Sequence, residues 1–274
     1  MINIITITLF CLIIMYFYII KLALKKNKIN FQNLEKKYEK NLDKTKITVF
    51  RLDGHKFSKF TSNFTKPFDN KFTVAMKNTA LAAFEYFDFK VAFVGSDEIT
   101  LCIFPKIGKN GEICDIEMSG RIQKMTTLLA GFVSVTFYKE FNKFYPMEDY
   151  TPHFDCRVYQ VDSIDDLLVN MSERVTYTLR NSRMMFAQHH LTAKRVNKEE
   201  LASEEAVELV YSEKNINFYE TVDSDVRVGT IITWEPVEYE KNVIVKGETR
   251  VIKYTRNIKQ EQNLSPKEIL NLVF

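Results

Sequence analysis

Cysteine, histidine and tryptophan are scarce in this chain of 274 residues, with four, four and one copies. Cys11, Cys102, Cys114 and Cys156 form no Cys-x-x-Cys pair, which excludes a zinc knuckle and fits a reduced compartment. His55 and His153 stand alone and His189-His190 are adjacent rather than one helical turn apart, so no histidine pair has metal-ligand spacing. Any metal must be held by oxygen. The lone Trp234 is assigned to packing rather than to base stacking.

What is present divides unevenly. With 46% apolar and 13% aromatic residues, the chain has ample material for one large domain or two modest ones. Residues 1–24 are dominated by an apolar run from Ile4 to Ile20 that continues through Leu22-Ala23-Leu24, close to bilayer-spanning length. Residues 25–46 are a basic neck of net charge +5; with Lys21 also set aside, about −3 of the whole-chain +3 is left for residues 47–274. The expectation is an N-terminal hydrophobic helix that anchors the chain through residues 4–24, with the catalytic domain on the cytosolic side. If that segment is not used, the protein is cytoplasmic.

The rest alternates. Ile47 to Asp53 reads as a strand, and Asp69 to Phe87 as a helix with Phe72, Met76, Ala80, Ala83 and Phe87 on one face and Asp69 as N-cap. Strands from Phe89 to Val94 and Ile99 to Phe104 flank a tight bend at Gly95-Ser96. A long helix is expected over Ile116 to Phe144, a strand over Phe154 to Val161, and a helix over Ser163 to His190 opened by a serine cap with acids in its first turn. This order predicts an α+β fold of the polymerase-palm or ferredoxin-like kind, an antiparallel sheet with helices on one face. The palm is placed at about 47–162 and a helical and strand extension at about 163–274.

Two apolar runs end in acids: Val49-Phe50-Arg51-Leu52-Asp53-Gly54 and Phe93-Val94-Gly95-Ser96-Asp97-Glu98. The predicted sheet brings them to one edge. Oxygen ligands so placed suit two divalent cations and a triphosphate, hence nucleotidyl transfer. Asp53 and Asp97 are the candidate metal-bridging acids, Glu98 a further ligand or an orienting acid, and the Gly54 carbonyl a possible ligand. Lys66-Pro67-Phe68-Asp69 offers a lysine for a phosphate and an acid for a ribose or base; taken alone it is equally a turn before a helix.

Arg51-Leu52-Asp53-Gly54-His55-Lys56-Phe57, Lys66-Pro67-Phe68-Asp69 and Ser96-Asp97-Glu98 resemble the signature motifs of the tRNA-His guanylyltransferase family. The likeness continues through Phe154-Asp155-Cys156-Arg157-Val158, Arg180-Asn181-Ser182, Tyr211 to Asn217 and Arg227-Val228-Gly229-Thr230. The resemblance implies 3′-to-5′ addition of a nucleotide, guanylate above all, to a tRNA 5′ end, with two Mg2+ ions, GTP and ATP as substrates, and a homotetramer. By motif match Lys66, Asp69, Ser96, Arg121, Lys124 and Asn181 bind the nucleotide. The clusters Arg174, Arg180, Arg183 and Lys194, Arg195 are candidate RNA contacts.

The chain also departs from the family. Leu179-Arg180-Asn181-Ser182 replaces a His-Ile-Asn-Asn run, which resembles the guanylyltransferase-like branch that repairs tRNA 5′ ends. Ser58 stands where a histidine is frequent, and Ala206 near an expected lysine. A membrane-tethered, non-catalytic palm that binds RNA or nucleotide is the alternative reading.

Overall fold

The computed structural model describes residues 10, 12–21, 30–87, 89–146, 150–191, 200–245 and 248–271. The chain divides into two units, Met1–Lys40 and Asn41–Phe274. In the first, residues 12–21 are helical, and Phe31–Lys36 forms a short helix capped by Asn30. The spanning anchor expected over residues 4–24 is not met: among the described residues no helix is long and apolar enough to cross a membrane. Residues 4–9, 11 and 22–24 of that segment lie outside the described residues.

The second unit begins inside the expected neck. The Asp43 amide donates to Gln160, and Lys44 and Lys46 pair with Asp115 and Asp162 at 2.8 Å each. The last lysines of the basic run therefore belong to the folded unit.

Six strands form one sheet: β1 (Ile47–Gly54), β2 (Val91–Gly95), β3 (Glu98–Ile103), β4 (Phe154–Val161), β5 (Thr230–Val245) and β6 (Glu248–Gln262). Their order is β4-β1-β3-β2-β5-β6, with all neighbours antiparallel. The first four strands have the expected palm order. β5 pairs with β2 from Thr230 to Thr233, so the sheet runs on past residue 162 without a break.

The helices α1 (Asn70–Tyr86), α2 (Ile122–Asn142) and α3 (Ile164–His190) cover both faces of this sheet. Side chains alternate across a strand. On one face Phe50, Leu52, Ile99 and Leu101 meet Ala80 and Phe84 of α1 and Leu129, Val133 and Phe137 of α2. On the other, Val49, Phe93 and Cys102 meet Leu167, Leu168, Met171 and Val175 of α3. The expectation of helices on one face is corrected here. β2 is buried throughout and β1 and β3 through most of their length, the pattern of strands covered on both faces.

Caps set the helix ends as the sequence requires: Asp69 accepts from the Lys71 and Phe72 amides, and Ser163 from Asp166. The expected helix over Ile116 to Phe144 starts late. Met118, Ser119 and Gly120 all have positive φ, and the Gly120 carbonyl accepts from the Leu42 amide at 2.8 Å, so a tertiary contact breaks the first turns. A further helix, α4 (Glu204–Lys214), packs on the C-terminal part of α3 through Val207, Val210 and Phe186. Trp234 is a packing residue: it stacks on Phe84 and donates Nε1–H to the Phe89 carbonyl at 2.8 Å.

Candidate active site

Antiparallel pairing of β1 with β3 sets Asp53 opposite Glu98, with the Ser96-Asp97 turn just beyond. The Gly54 amide donates to the Asp97 carbonyl at 3.1 Å, which ties the end of β1 to that turn. Gly54 has no room for a side chain, since a Cβ would lie 2.4 to 2.7 Å from the Phe57 ring. Ser96 takes the left-handed conformation (φ 55°) that the tight turn needs, and its hydroxyl reaches Asp97 Oδ1 at 3.2 Å.

Electrostatics at this edge are unbalanced. Burial pushes the Asp97 carboxyl up, and the negative charge of Asp53 adds to the rise. Burial also pushes Glu98 up, outweighing the guanidinium of Arg174 at 3.2 Å. Asp53 is more open, with Arg157 Nη2 3.9 Å away and bound more closely to Asp155 at 3.2 Å. Two carboxylates thus face each other with a weak positive counter-charge. Among the described residues no cluster of three or more His, Cys, Asp or Glu is arranged to hold a metal.

Beside this edge lies a cavity of about 340 Å³. Its walls come from the loop after β1, the start of α1, the β2–β3 turn, α3, and the short helix Ser224–Arg227. Phe64, Phe68, Phe72 and Met76 give it an apolar lining, and Asp97, Ser96, Thr178 and Asn181 place polar atoms along one side. An apolar slot with a few directed polar groups is the usual form of a small-ligand site. α3 approaches so closely that a Cβ on Gly95 would lie 2.6 Å from Thr178 Oγ1.

Several of the sequence-predicted residues meet here and several do not. Lys66, Asp69, Ser96 and Asn181 line the cavity. Lys66 donates to the Thr61 carbonyl at 2.9 Å. Asp69 is fully engaged: Oδ1 accepts from Lys71 and Phe72, and Oδ2 from the Thr65 amide and the Tyr145 hydroxyl. Its carboxylate holds the cavity wall rather than offering a free acceptor to a ribose or base.

Arg121 and Lys124 do not line this cavity. They open α2 at the far end of the sheet, where Asn41 bridges to Arg121. Ser134, which accepts from the Phe154 amide beside Gly54, marks the level of the acid edge, and Lys124 lies ten residues, about 15 Å, up the helix from it. Arg174 and Arg183 are both engaged within the chain. Arg174 is a largely buried partner of Glu98, and Arg183 pairs with Glu204 and donates to the Tyr219 hydroxyl. Arg180 is exposed beside Tyr177, and Lys194 and Arg195 lie outside the described residues.

Sequence reasoning missed the cavity's inner strut. Lys77 of α1 pairs with Asp225 at 3.0 Å and with Glu261 at 3.2 Å, and Asp225 Oδ1 also accepts from Thr230 and Asn263. These partners are up to 186 residues apart in sequence, from Lys77 to Asn263, and no local pattern links them. The only trace was the Arg227 to Thr230 motif.

Residues 29–162 match the family described as tRNAHis guanylyltransferase. That match covers 134 of the 274 residues, just under half of the chain. An uncharacterized protein of Acanthamoeba polyphaga mimivirus is 26% identical over 241 residues, 80% of this chain and 82% of its own length. A bacterial tRNAHis guanylyltransferase-like protein, solved in complex with ATP, superposes with a TM-score of 0.66 at 22% identity over 75% of this chain and 85% of that one. A second such structure, in complex with GTP, gives 0.57 at 18% identity, covering 82% and 88%. The tRNAHis guanylyltransferase of Saccharomyces cerevisiae gives 0.60 at 22% identity, covering 73% and 91%. These solved structures share the fold of this chain.

Proposed function

We propose that this protein adds nucleotides to the 5′ end of tRNA by metal-dependent 3′-to-5′ transfer. The carrying observation is the acid edge: Asp53, Gly54 and Asp97 close together beside a cavity of nucleotide size, with Asp97 pushed up by burial and by Asp53. Two close carboxylates and a backbone carbonyl are hard oxygen donors, the set Mg2+ takes when it also holds a phosphate. Mg2+ there would neutralise phosphate charge and make the attacking hydroxyl more acidic.

The cavity receives the nucleoside triphosphate in this reading. Solved relatives bind ATP and GTP, and Asn181 supplies an amide on the cavity wall. Addition to a 5′-triphosphorylated RNA forms a bond from the 3′-oxygen of the incoming nucleotide to the α-phosphorus. The bond to pyrophosphate breaks, and the hydroxyl proton passes to water. With a 5′-monophosphate, ATP must first supply the leaving group.

Target choice is wider than tRNA-His. Ser182, in place of an asparagine, is buried and donates to the Leu179 and Arg227 carbonyls, so it is spent on packing rather than on substrate. The test is incubation of the purified chain with Mg2+, nucleotides and a tRNA lacking its first nucleotide, carrying either a 5′-monophosphate or a 5′-triphosphate. Extension of several different tRNAs is expected. No extension of any of them refutes the reading, and extension by Asp97→Ala at the wild-type rate refutes the role of the acid edge.

A further inference from the structure

We propose that Arg174 is a positioning residue of the acid edge: it holds Glu98 as an internally paired carboxylate, leaving Asp53 and Asp97 to share the cation and limiting the negative charge around them. This rests on the metal-dependent reading above. Asp53 and Glu98 are directly paired across β1 and β3, so both stand on the sheet face that α3 covers. Asp155, paired to Asp53 on the other side, shares that face. Three carboxylates there would repel one another and compete for any cation.

Arg174 changes that balance. Its Nη1 lies 3.2 Å from Glu98 Oε2, and the two side chains are only 16% and 20% exposed. The guanidinium lies over the Tyr177 ring at 4.7 Å, and its buried Nε has no other partner, so the group is committed to this pair. Glu98 Oε1 is turned to the Thr100 hydroxyl at 3.4 Å, whereas Asp97 lines the cavity. Glu98 is therefore held by Arg174 and Thr100, while Asp97, in the turn beside Asp53, is left toward the cavity. One turn along α3, Thr178 lines the cavity and donates its hydroxyl to the backbone carbonyl of residue 174, so the arginine and the cavity wall share one stretch of helix.

The experiment measures Mn2+ binding directly, from the loss of the free-ion paramagnetic resonance signal, together with kcat and KM for GTP. It compares the full chain with Arg174→Met, Glu98→Gln and the double variant. Removing the guanidinium leaves an extra negative charge near the cation. Arg174→Met is expected to lower the Mn2+ concentration for half-saturation about threefold or more, and to lower kcat more than it raises KM. Glu98→Gln should shift binding about threefold the other way by the same charge argument, and the double variant should return it to near the wild-type value.

A strut with no electrostatic role would leave Mn2+ binding unchanged in every variant, and that result overturns the proposal. So does a much larger loss in Glu98→Gln that the double variant fails to restore, since Glu98 would then be a ligand. If Arg174→Met does not fold, Glu98→Gln against the double variant decides, because the double variant buries no unpaired charge. Wild-type protein that binds no Mn2+ refutes the metal-dependent reading itself.

Discussion

Replacing Asp69 by alanine should unfold the protein more readily without acting through the nucleotide. The carboxylate caps α1 through the Lys71 and Phe72 amides at 3.0 and 3.1 Å. It also accepts from Tyr145 at 3.0 Å and from the Thr65 amide at 3.3 Å. Loss of an N-cap costs about 1 kcal/mol. Loss of a hydrogen bond to a charged group costs roughly 1.5–3 kcal/mol, so the total is about 2–4 kcal/mol. At about 2–4 °C per kcal/mol for a unit of this size, the melting midpoint should fall by about 4–16 °C. Asp69→Ser keeps a capping oxygen and should recover about 1 kcal/mol of the loss, as urea midpoints would report. The decisive comparison is GTP titration of the serine variant under conditions where it is fully folded. A KM within about threefold of wild type is expected, because the carboxylate's acceptor sites are already filled from within. A KM raised tenfold or more with little change in stability would refute this reasoning and return Asp69 to the nucleotide.

Gly54→Ala should destabilise the protein by about 1–3 kcal/mol by overpacking, because its Cβ falls 2.4 Å from the ring of buried Phe57; thermal melting checks this, and a wild-type midpoint would contradict it. Lys124→Ala should leave KM for GTP within about twofold, since the residue opens α2 about 15 Å from the level of the acid edge. Asp225 gives a pH prediction. Burial pushes its carboxyl up, but hydrogen bonds from Thr230, Asn263 and Lys77 outweigh it and hold the group below its ordinary value of 3.8. Its folded-state pKa is depressed, so its contribution is present above pH 3.8 and is lost as pH falls through the lower folded-state value. Urea titrations should show Asp225→Asn less stable than wild type at pH 7, with the gap closing below about pH 4; a gap constant with pH would refute the linkage.

The palm was legible because its signals are local. Asp69 and Ser163 announce helix starts, Gly95-Ser96 a tight turn, and the apolar runs of β1 to β3 the strands. The same runs held an unused signal, because strands apolar on both sides of the pleat cannot leave one face to solvent. That pointed to a second helix layer, which α3 supplies. The acid edge was legible from strand-end acids and from the family motifs. Charged side chains were hardest to place where a partner distant in sequence decides their surroundings. Arg174 and Arg183 read as a basic helix face, yet one pairs with Glu98 and the other with Glu204. For Arg121 and Lys124, helical spacing placed them together but could not say which end of the sheet they reach.

The second helix layer also bears on how chemistry and target choice can vary separately. The acid edge is built from β1 and the β2–β3 turn, held together by backbone hydrogen bonds such as Gly54 to Asp97. The segment that departs from the family, Leu179-Arg180-Asn181-Ser182, is on α3. Asn181 faces the cavity, Arg180 is exposed, and Leu179 and Ser182 pack inward against the α4 side. Substitution there alters the cavity wall and the outer helix surface without moving a strand end. The two regions touch at Arg174–Glu98 and Gly95–Thr178, six and two residues before Arg180. On the proposed reading, exchange of residues 179–182 for His-Ile-Asn-Asn should change which tRNA is extended while Mn2+ binding holds. Exchange at 174 or 98 should change Mn2+ binding for every tRNA alike, and a variant at 179–182 that weakened Mn2+ binding tenfold would show that this separation is false.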